Sequence, residues 1–155
     1  METNATTHDL MRPYEVTLHY KRPLFNTMKK ISSSRDSSHL LKEFINPNIL
    51  DVKEFFWTIF LSRANCVLGI ATIGCGDVTG VMVNIREIFQ LTLLFHATHI
   101  IVAHNHPSGK LTPSEKDQKI TRKLQRGVAL FDVKLLDHLI LTSESYYSFS
   151  DNGIL

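Results

Sequence analysis

Cysteine is scarce in this sequence, which has only Cys66 and Cys75 among its 155 residues. Two cysteines are too few for a disulfide framework or a cysteine-rich structural zinc site, so we expect a cytoplasmic protein. No stretch reaches the roughly 20 uninterrupted apolar residues of a membrane span, so no membrane partner is predicted. Residues 1–13 are mostly polar and lack the apolar segment of a secretory signal. We expect them to form a disordered N-terminal tail.

An excess of charge of one sign is also absent. Seventeen Lys and Arg residues oppose fifteen Asp and Glu residues, which leaves a formal net charge of +2, too small to indicate a nucleic-acid partner by itself. The hydrophobic fraction of 43% and the charged fraction of 21% are ordinary for a globular domain, and the length fits one domain, which we place at residues 14–155. Histidine is plentiful, with eight residues. This abundance favours a metal site of His and carboxylate ligands over one of thiolates.

Hydrophobic patterns predict strands interleaved with helices, which indicates an α/β or α+β fold with a mixed β-sheet flanked by helices. The predicted strands are 14–20, 55–61, 66–73, 81–83, 99–103, 133–141 and 146–149. Residues 33–36 are expected to cap a first helix that ends before Pro47, and a second helix covers 84–97. A third helix is predicted from an N-cap at Thr112 to about Arg126, with its end near Gly127.

Two histidines lie two residues apart where a predicted buried strand enters a loop. Residues i and i+2 of a strand project to one face, so His104 and His106 can converge on one ion while Asn105 points away. In the next helix, Asp117 shares the core-facing stripe with Ser114, where an unpaired carboxylate is costly to bury. Two imidazoles and a carboxylate are the ligand set of a catalytic zinc ion. Histidines that cap a strand end and an Asp that only favours its helix N-terminus have the same spacing, so the pattern leaves both interpretations open.

The residues around this pair resemble a known family. The segment HNHPSG at 104–109, followed by Ser114 and Asp117, resembles the H-x-H-P and S-x-x-D signature of JAMM (MPN+) metalloproteases. The later LLDHLI and YYSF segments are similar to the bacterial RadC branch of that family, and the similarity covers about residues 33–155, including the run at 54–57. RadC proteins also carry an N-terminal helix-hairpin-helix region that is not recognisable in this sequence. The resemblance therefore implies a stand-alone or truncated form, of the kind associated with mobile elements.

The resemblance implies a JAB/MPN fold like that of cytidine deaminases, with one bound Zn²⁺ ion. By position, His104, His106 and Asp117 would be its protein ligands, and a water would be the fourth ligand. Ser114 would donate a hydrogen bond to the oxyanion of a tetrahedral intermediate. Glu54 matches the family's early-strand Glu and would be the general acid/base. The implied activity is that of a zinc metallopeptidase or hydrolase, which cleaves an amide or isopeptide bond in a peptide, an isopeptide-linked protein or a small amide.

Two further acidic residues, Glu87 and Asp137, are candidates for the site. Glu87 competes with Glu54 in sequence but lies beside Arg86 in a predicted helix, whereas a carboxylate partly buried next to Phe55 suits proton transfer. Asp137 matches the LLDH segment of RadC-like proteins. With the histidine that follows it, it would orient a metal ligand from outside the coordination sphere, although a buried pair without a catalytic role fits equally well.

That neighbouring histidine is His138, the third of the eight to receive a predicted role. Of the remaining five, His96 and His99 flank a predicted helix-to-strand turn and are expected to be structural. The other three, His8, His19 and His39, have no partner in the sequence.

Zinc deaminases are a different enzyme class with the same type of fold. They need an H/C-x-E motif and a P-C-x-x-C motif, whereas the two cysteines of this sequence, Cys66 and Cys75, are nine residues apart and lack that context. Deamination is therefore not expected.

Contact with DNA is the alternative function, since the RadC branch has been described as a DNA-repair family. Between residues 110 and 134, seven basic residues face three acidic ones, a local charge of +4. Four of the basic residues form a stripe on the predicted third helix: Lys116, Lys119, Lys123 and Arg126. A solvated helix face explains the same stripe, so the alternative is an accessory protein of DNA repair or of a mobile element, with the metal site retained. The pattern gives no oligomeric state.

Overall fold

Three helices and five strands alternate along residues 19–76 and 82–155, the parts of the chain that the computed structural model describes. They are α1 (Ser34–Phe44), β1 (Phe55–Leu61), β2 (Val67–Cys75), α2 (Ile85–Leu94), β3 (His99–Asn105), α3 (Glu115–Ala129), β4 (Lys134–Leu141) and β5 (Tyr146–Ser148). Short 3-10 turns lie at Phe25–Thr27 and Pro47–Ile49. Among the helices described, none has the length and apolar character needed to cross a membrane.

The five strands form one mixed sheet in the order β2-β1-β3-β4-β5. The strand β1 is antiparallel to both β2 and β3, β3 is parallel to β4, and β4 is antiparallel to β5. The helix α3 makes the crossover between the two parallel strands, as a parallel pair requires. The predicted mixed sheet in a single α+β domain is therefore confirmed, and the arrangement is consistent with a JAB fold.

Both faces of the sheet are buried. Side chains alternate along a strand, so those of β1 pack into two different clusters. Phe56 and Phe60 of β1 pack in a cluster with buried residues of α2 and α3, whereas Trp57 and Ile59 pack in a second cluster with Leu41 of α1. The sheet thus lies between α1 on one face and α2 with α3 on the other. Double burial explains why β1 reads as a nearly continuous apolar run.

Most predicted elements are present, with shifted ends. The strand predicted at 55–61 coincides with β1, and β2, β3, β4 and β5 differ from their predictions by one or two residues at one or both ends. The second helix ends at Leu94 instead of residue 97, since His96 adopts a left-handed φ of 51° that an α-helix does not accommodate.

Two predicted strands and the predicted tail fall wholly or partly outside the described residues. Residues 1–13, residues 14–18 of the strand predicted at 14–20, and Val81 of the strand predicted at 81–83 are not described. The remaining residues of those two stretches, His19 and Tyr20, and Met82 and Val83, lie in no strand.

The predicted limits of the third helix are wrong at both ends. The N-cap is Ser114 and not Thr112, because the carboxylate of Asp117 accepts from the Ser114 backbone N–H while the Ser114 hydroxyl accepts from the Asp117 N–H. At the other end the helix continues through Gly127 to Ala129. A Cβ at Gly127 would lie 2.4 Å from Cζ of the Phe89 ring, so this glycine allows α2 and α3 to approach closely and does not end the helix.

Candidate metal centre

Three potential metal ligands meet where β3 ends and α3 begins. One ligand atom from each of His104, His106 and Asp117 lies within 4.8 Å of the others. The Nε2 atoms of the two histidines are 3.0 Å apart, Nε2 of His104 is 3.3 Å from Oδ1 of Asp117, and Nε2 of His106 is 3.7 Å from Oδ2 of Asp117. The structure therefore brings together the three residues predicted from their spacing.

The end of β3 brings the two imidazoles together, with their Nε2 atoms 3.0 Å apart. The side chain of Asn105 points away from them, as predicted, and bonds backbone groups of the segment before β1. After the strand, Gly109 adopts a φ of 74°, and its N–H donates to the His106 carbonyl over 3.0 Å, which closes a turn. The turn places the carbonyl of Lys110 2.6 Å from Nδ1 of His106. Because a carbonyl can only accept, Nδ1 donates to it, and Nε2 of His106 is left as the atom that faces Asp117.

The first turn of α3 holds Asp117 with its carboxylate towards the two imidazoles. The residue is only 8% exposed. Burial alone would raise the pKa of this carboxyl, but hydrogen bonds from the His104 side chain and from the Ser114 hydroxyl and backbone, together with the positive charge that His104 carries when protonated, outweigh burial and hold the pKa well below its ordinary value. Asp117 is therefore a carboxylate at neutral pH and suits a cation.

A line of buried hydrogen bonds runs from His104 back to α3. Nδ1 of His104 is 2.8 Å from Nε2 of His138, and Nδ1 of His138 is 2.6 Å from Oγ1 of Thr121. The Thr121 hydroxyl donates to the backbone carbonyl of Asp117 over 2.6 Å. Thr121 received no role from the sequence pattern, and its position one turn after Asp117 is the signal that would have identified it.

His138 is fully buried in this line, and its ring stacks on Phe149 at a centroid distance of 4.6 Å. Burial holds the pKa of His138 well below its ordinary value, and the neighbouring His104 lowers it further. The imidazole is therefore neutral at neutral pH. This placement agrees with a role in orienting a metal ligand from behind.

The donor set fits a tetrahedral zinc ion. Ligand atoms about 2.0–2.2 Å from such an ion lie about 3.3–3.6 Å from one another. The Nε2 atoms of the two histidines, 3.0 Å apart, and Nε2 of His104 with Oδ1 of Asp117, 3.3 Å apart, are near that distance. The 3.7 Å from Nε2 of His106 is measured to the other carboxylate oxygen, Oδ2.

The segment before β1 is tied to β3 by Asn105. The side-chain oxygen of this residue accepts from the Phe55 N–H over 2.8 Å, and its amide nitrogen donates to the carbonyls of Lys53 and Leu50 over 2.9 and 2.7 Å. Glu54, the predicted general acid/base, lies between two of these three bonds and is half-buried. Its own carbonyl accepts from the Gly76 N–H over 2.8 Å. The backbone at Glu54 is thus held from both neighbouring strands.

The other predicted site residues lie as follows. Ser114 is exposed at the N-cap of α3, beside Asp117. The carboxylate of Asp137 accepts from the backbone N–H groups of His138 and Ser150 and from the hydroxyl of Ser148, so its partners belong to the β4–β5 hairpin and the turn after it. Burial raises the pKa of Asp137, although these hydrogen bonds oppose the rise.

Glu87, the weaker candidate for the acid/base, and the basic stripe on α3 are not among the three potential metal ligands. Glu87 is in the first turn of α2, where its side chain accepts from the amide of Asn84 over 3.3 Å. All four basic residues of the stripe on α3 are exposed: Lys116, Lys119, Lys123 and Arg126.

Comparison with known proteins gives one family. The family model described as a RadC-like JAB domain matches residues 31–154. The chain is 43% identical over 129 residues to a UPF0758 protein of Flavobacterium johnsoniae, which covers 82% of this chain and 54% of that protein. It is 35% identical over 139 residues to a UPF0758 protein of Chlorobium chlorochromatii (89% and 60%) and 37% identical over 103 residues to the UPF0758 protein YfjY of Escherichia coli (66% and 64%). The chain thus spans between half and two thirds of the length of these relatives.

Proposed function

Because this chain belongs to the RadC-like JAB domain family, we propose that it is a zinc-dependent hydrolase that cleaves an amide or isopeptide bond. The observation that carries the proposal is the convergence of His104, His106 and Asp117 within 4.8 Å at the end of a buried strand. Two imidazoles with one carboxylate favour zinc over magnesium or calcium, which prefer oxygen ligands. When bound, zinc supplies Lewis-acid polarisation of the substrate carbonyl and acidifies water near neutral pH.

The pairing of β1 with β3 supports Glu54 as the general acid/base. Phe56 lies opposite His104 in the antiparallel register, and the two rings are stacked with an interplanar angle of 7°. A continuation of this register by two residues would set Glu54 opposite His106. In an extended segment residues 54 and 56 share a face, so a carboxylate at 54 would then belong to the face that carries both histidines. There it would take a proton from the attacking water and return it to the leaving amine.

The position of Ser114 supports its proposed role towards the substrate. It is exposed, and its hydroxyl oxygen lies 3.2 Å from the backbone nitrogen of Asp117, so it is close to a metal ligand yet open to solvent. A hydroxyl donor beside the reacting carbonyl stabilises the oxyanion of a tetrahedral intermediate.

Metal analysis and two matched glutamate variants test the proposal. We expect about one zinc ion per chain by elemental analysis of protein purified without chelator, and its loss in the His104→Ala, His106→Ala double variant. Glu54→Gln is expected to keep the zinc and to lose hydrolysis of a panel of fluorogenic peptide amides and isopeptide-linked peptides. Glu87→Gln, which changes an acid outside the cluster, is the control and is expected to keep both. Native protein without zinc, or loss of hydrolysis in Glu87→Gln instead of Glu54→Gln, would contradict the proposal.

The exposed basic stripe on α3 supports a second candidate function, contact with the phosphates of DNA. The stripe begins on the same helix turn as Asp117, so a bound duplex would lie beside the metal site. Binding to several phosphates makes affinity fall steeply with salt. We expect the affinity for a duplex oligonucleotide to fall steeply between 50 and 200 mM salt, and Lys119→Glu with Lys123→Glu to reduce the steepness, if this function holds. Weak binding that is independent of salt would exclude it.

A further inference from the structure

We infer that Thr121 is a positioning residue that fixes a proton on Nδ1 of both His138 and His104, so that Nε2, the nitrogen of His104 facing Asp117, is the one left for a metal ion. The inference rests on the proposed function, because it treats His104 and Asp117 as metal ligands. It adds a residue without a predicted role and states which nitrogen of His138 and of His104 holds a proton in the buried line of hydrogen bonds.

The direction of the Thr121 hydroxyl hydrogen determines the direction of the other hydrogen bonds in the line. Its oxygen lies 2.6 Å from the backbone carbonyl of Asp117 and 2.6 Å from Nδ1 of His138. A hydroxyl has one hydrogen, and a carbonyl can only accept, so the hydrogen must point to Asp117. The hydroxyl oxygen then accepts from His138, which places a proton on Nδ1 of that ring.

The environment of His138 determines its second nitrogen. The ring is 0% exposed and contacts Thr121, His104 and the rings of Phe56 and Phe149. An imidazolium in such apolar surroundings is costly, so a ring with its proton on Nδ1 leaves Nε2 unprotonated. Nε2 therefore accepts from Nδ1 of His104, 2.8 Å away.

His104 is thereby held with a proton on Nδ1 and with Nε2 towards Asp117. A histidine binds a metal through an unprotonated nitrogen, and the hydrogen bond made by the other nitrogen selects which one that is. His106 reaches the same form independently, because its Nδ1 donates to the Lys110 carbonyl. The two ligand histidines thus have separate anchors, and only that of His104 depends on Thr121.

The line also connects two ligands through three elements. It starts at the Asp117 carbonyl in α3, passes through His138 in β4 and ends on His104 in β3. A hydroxyl at position 121 thus links the orientation of the His104 ring to the helix that carries the carboxylate ligand. A threonine that only filled space would be replaced by valine without effect on either imidazole.

Nitrogen-15 NMR of the imidazoles in metal-free protein tests the proton positions directly. In the wild type we expect His104, His106 and His138 all to carry the proton on Nδ1. Thr121→Val removes the acceptor and should redistribute the proton on His138 and His104, while His106 stays unchanged as the internal control. Thr121→Ser keeps the hydroxyl and should keep the wild-type pattern. A proton on Nε2 of His138 in the wild type would overturn the inference, and this measurement stands even where the valine variant fails to fold.

Zinc affinity, measured by competition with a chelator, gives the second readout. Loss of an outer hydrogen-bond partner typically weakens metal binding about 10–100-fold, so we expect that loss in Thr121→Val and wild-type affinity in Thr121→Ser. Equal affinity in the wild type and the valine variant would also overturn the inference. Failure of the proposed function is distinguishable from this outcome, because it would appear as wild-type protein that binds no zinc or hydrolyses no amide, whereas the proton positions are measured without metal or substrate.

Discussion

Ser114 is the N-cap of α3, and substitutions can separate that role from its proposed role towards the oxyanion. Ser114→Ala removes the N-cap acceptor and the hydroxyl, and we expect it to lower the free energy of unfolding by about 1 kcal/mol. Ser114→Gly also lacks the hydroxyl but caps a helix almost as well, at a cost of only a few tenths of a kcal/mol. Both variants should lose about 10²–10³-fold in the rate of amide hydrolysis. Full activity in the stable Gly variant would contradict the proposed role towards the oxyanion.

Asp137 predicts a pH dependence of stability. Its pKa is raised in the folded protein by burial, so ionisation disfavours the folded state. The protonated carboxyl of Asp137 therefore contributes its full stabilisation of the folded protein below the ordinary Asp pKa of about 3.9. This contribution is lost as pH rises through the raised pKa of the folded state. Asp137→Asn cannot ionise, and its altered hydrogen bonds add an offset that does not depend on pH. We expect chemical denaturation at a series of pH values to show the wild type losing stability relative to Asp137→Asn between about pH 3 and neutrality. A constant difference would be inconsistent with this expectation.

At the scale of elements, Asn105 makes the connection between β3 and the segment before β1. Asn105→Ala removes one acceptor and two donors, so the carbonyls of Leu50 and Lys53 and the N–H of Phe55 lose a partner. A backbone group left unsatisfied on burial costs about 1–3 kcal/mol, and we expect a total loss of about 3 kcal/mol or more in urea denaturation. Asn48→Ala, at an exposed site, is the control and should change stability by less than about 0.5 kcal/mol.

The sequence predicted the strands that are buried on both faces, because such strands consist almost entirely of apolar residues. The apolar run of β1 and the strand before His104 were located because both faces of each strand are covered. The ends of α3 were not, because they depend on contacts that a local pattern cannot show. Gly127 was predicted to end the helix because the sequence does not show that the Phe89 ring packs against it. The N-cap is Ser114 and not Thr112 because the Asp117 carboxylate bonds to the Ser114 backbone N–H, which spacing alone does not reveal.

Local sequence patterns likewise predicted only some residues of the candidate site. The spacing of His104, His106 and Asp117 follows from strand and helix periodicity and was therefore predictable from the residues alone. Glu54 lies fifty residues earlier than His104, and only the family resemblance indicated it. The contact of Thr121 with His138 requires β4 to lie parallel to β3, and no local pattern states which strands are neighbours.

At the scale of the whole molecule, the metal should act as a stabilising ligand. An ion that binds the folded state alone at 100 times its dissociation constant adds about 2.7 kcal/mol to the free energy of unfolding. For a domain of this size that corresponds to a rise of about 5–10 °C in Tm. We expect this rise on adding zinc in a calorimetric scan of metal-free protein, and none in the His104→Ala, His106→Ala variant. An equal rise in both proteins would indicate that zinc binds elsewhere.

The crossover from β3 through α3 to β4 has a consequence for the order of events during folding. This continuous unit, residues 99–141, contains all three proposed ligands together with Thr121 and His138, whereas Glu54 arrives with β1 from a distant part of the chain. Contacts that are close in sequence form with less loss of chain entropy than distant ones. Under the proposed function, a partly folded chain would therefore assemble the metal ligands before Glu54 is in place. Such a chain would bind zinc but would not hydrolyse a substrate until β1 has docked.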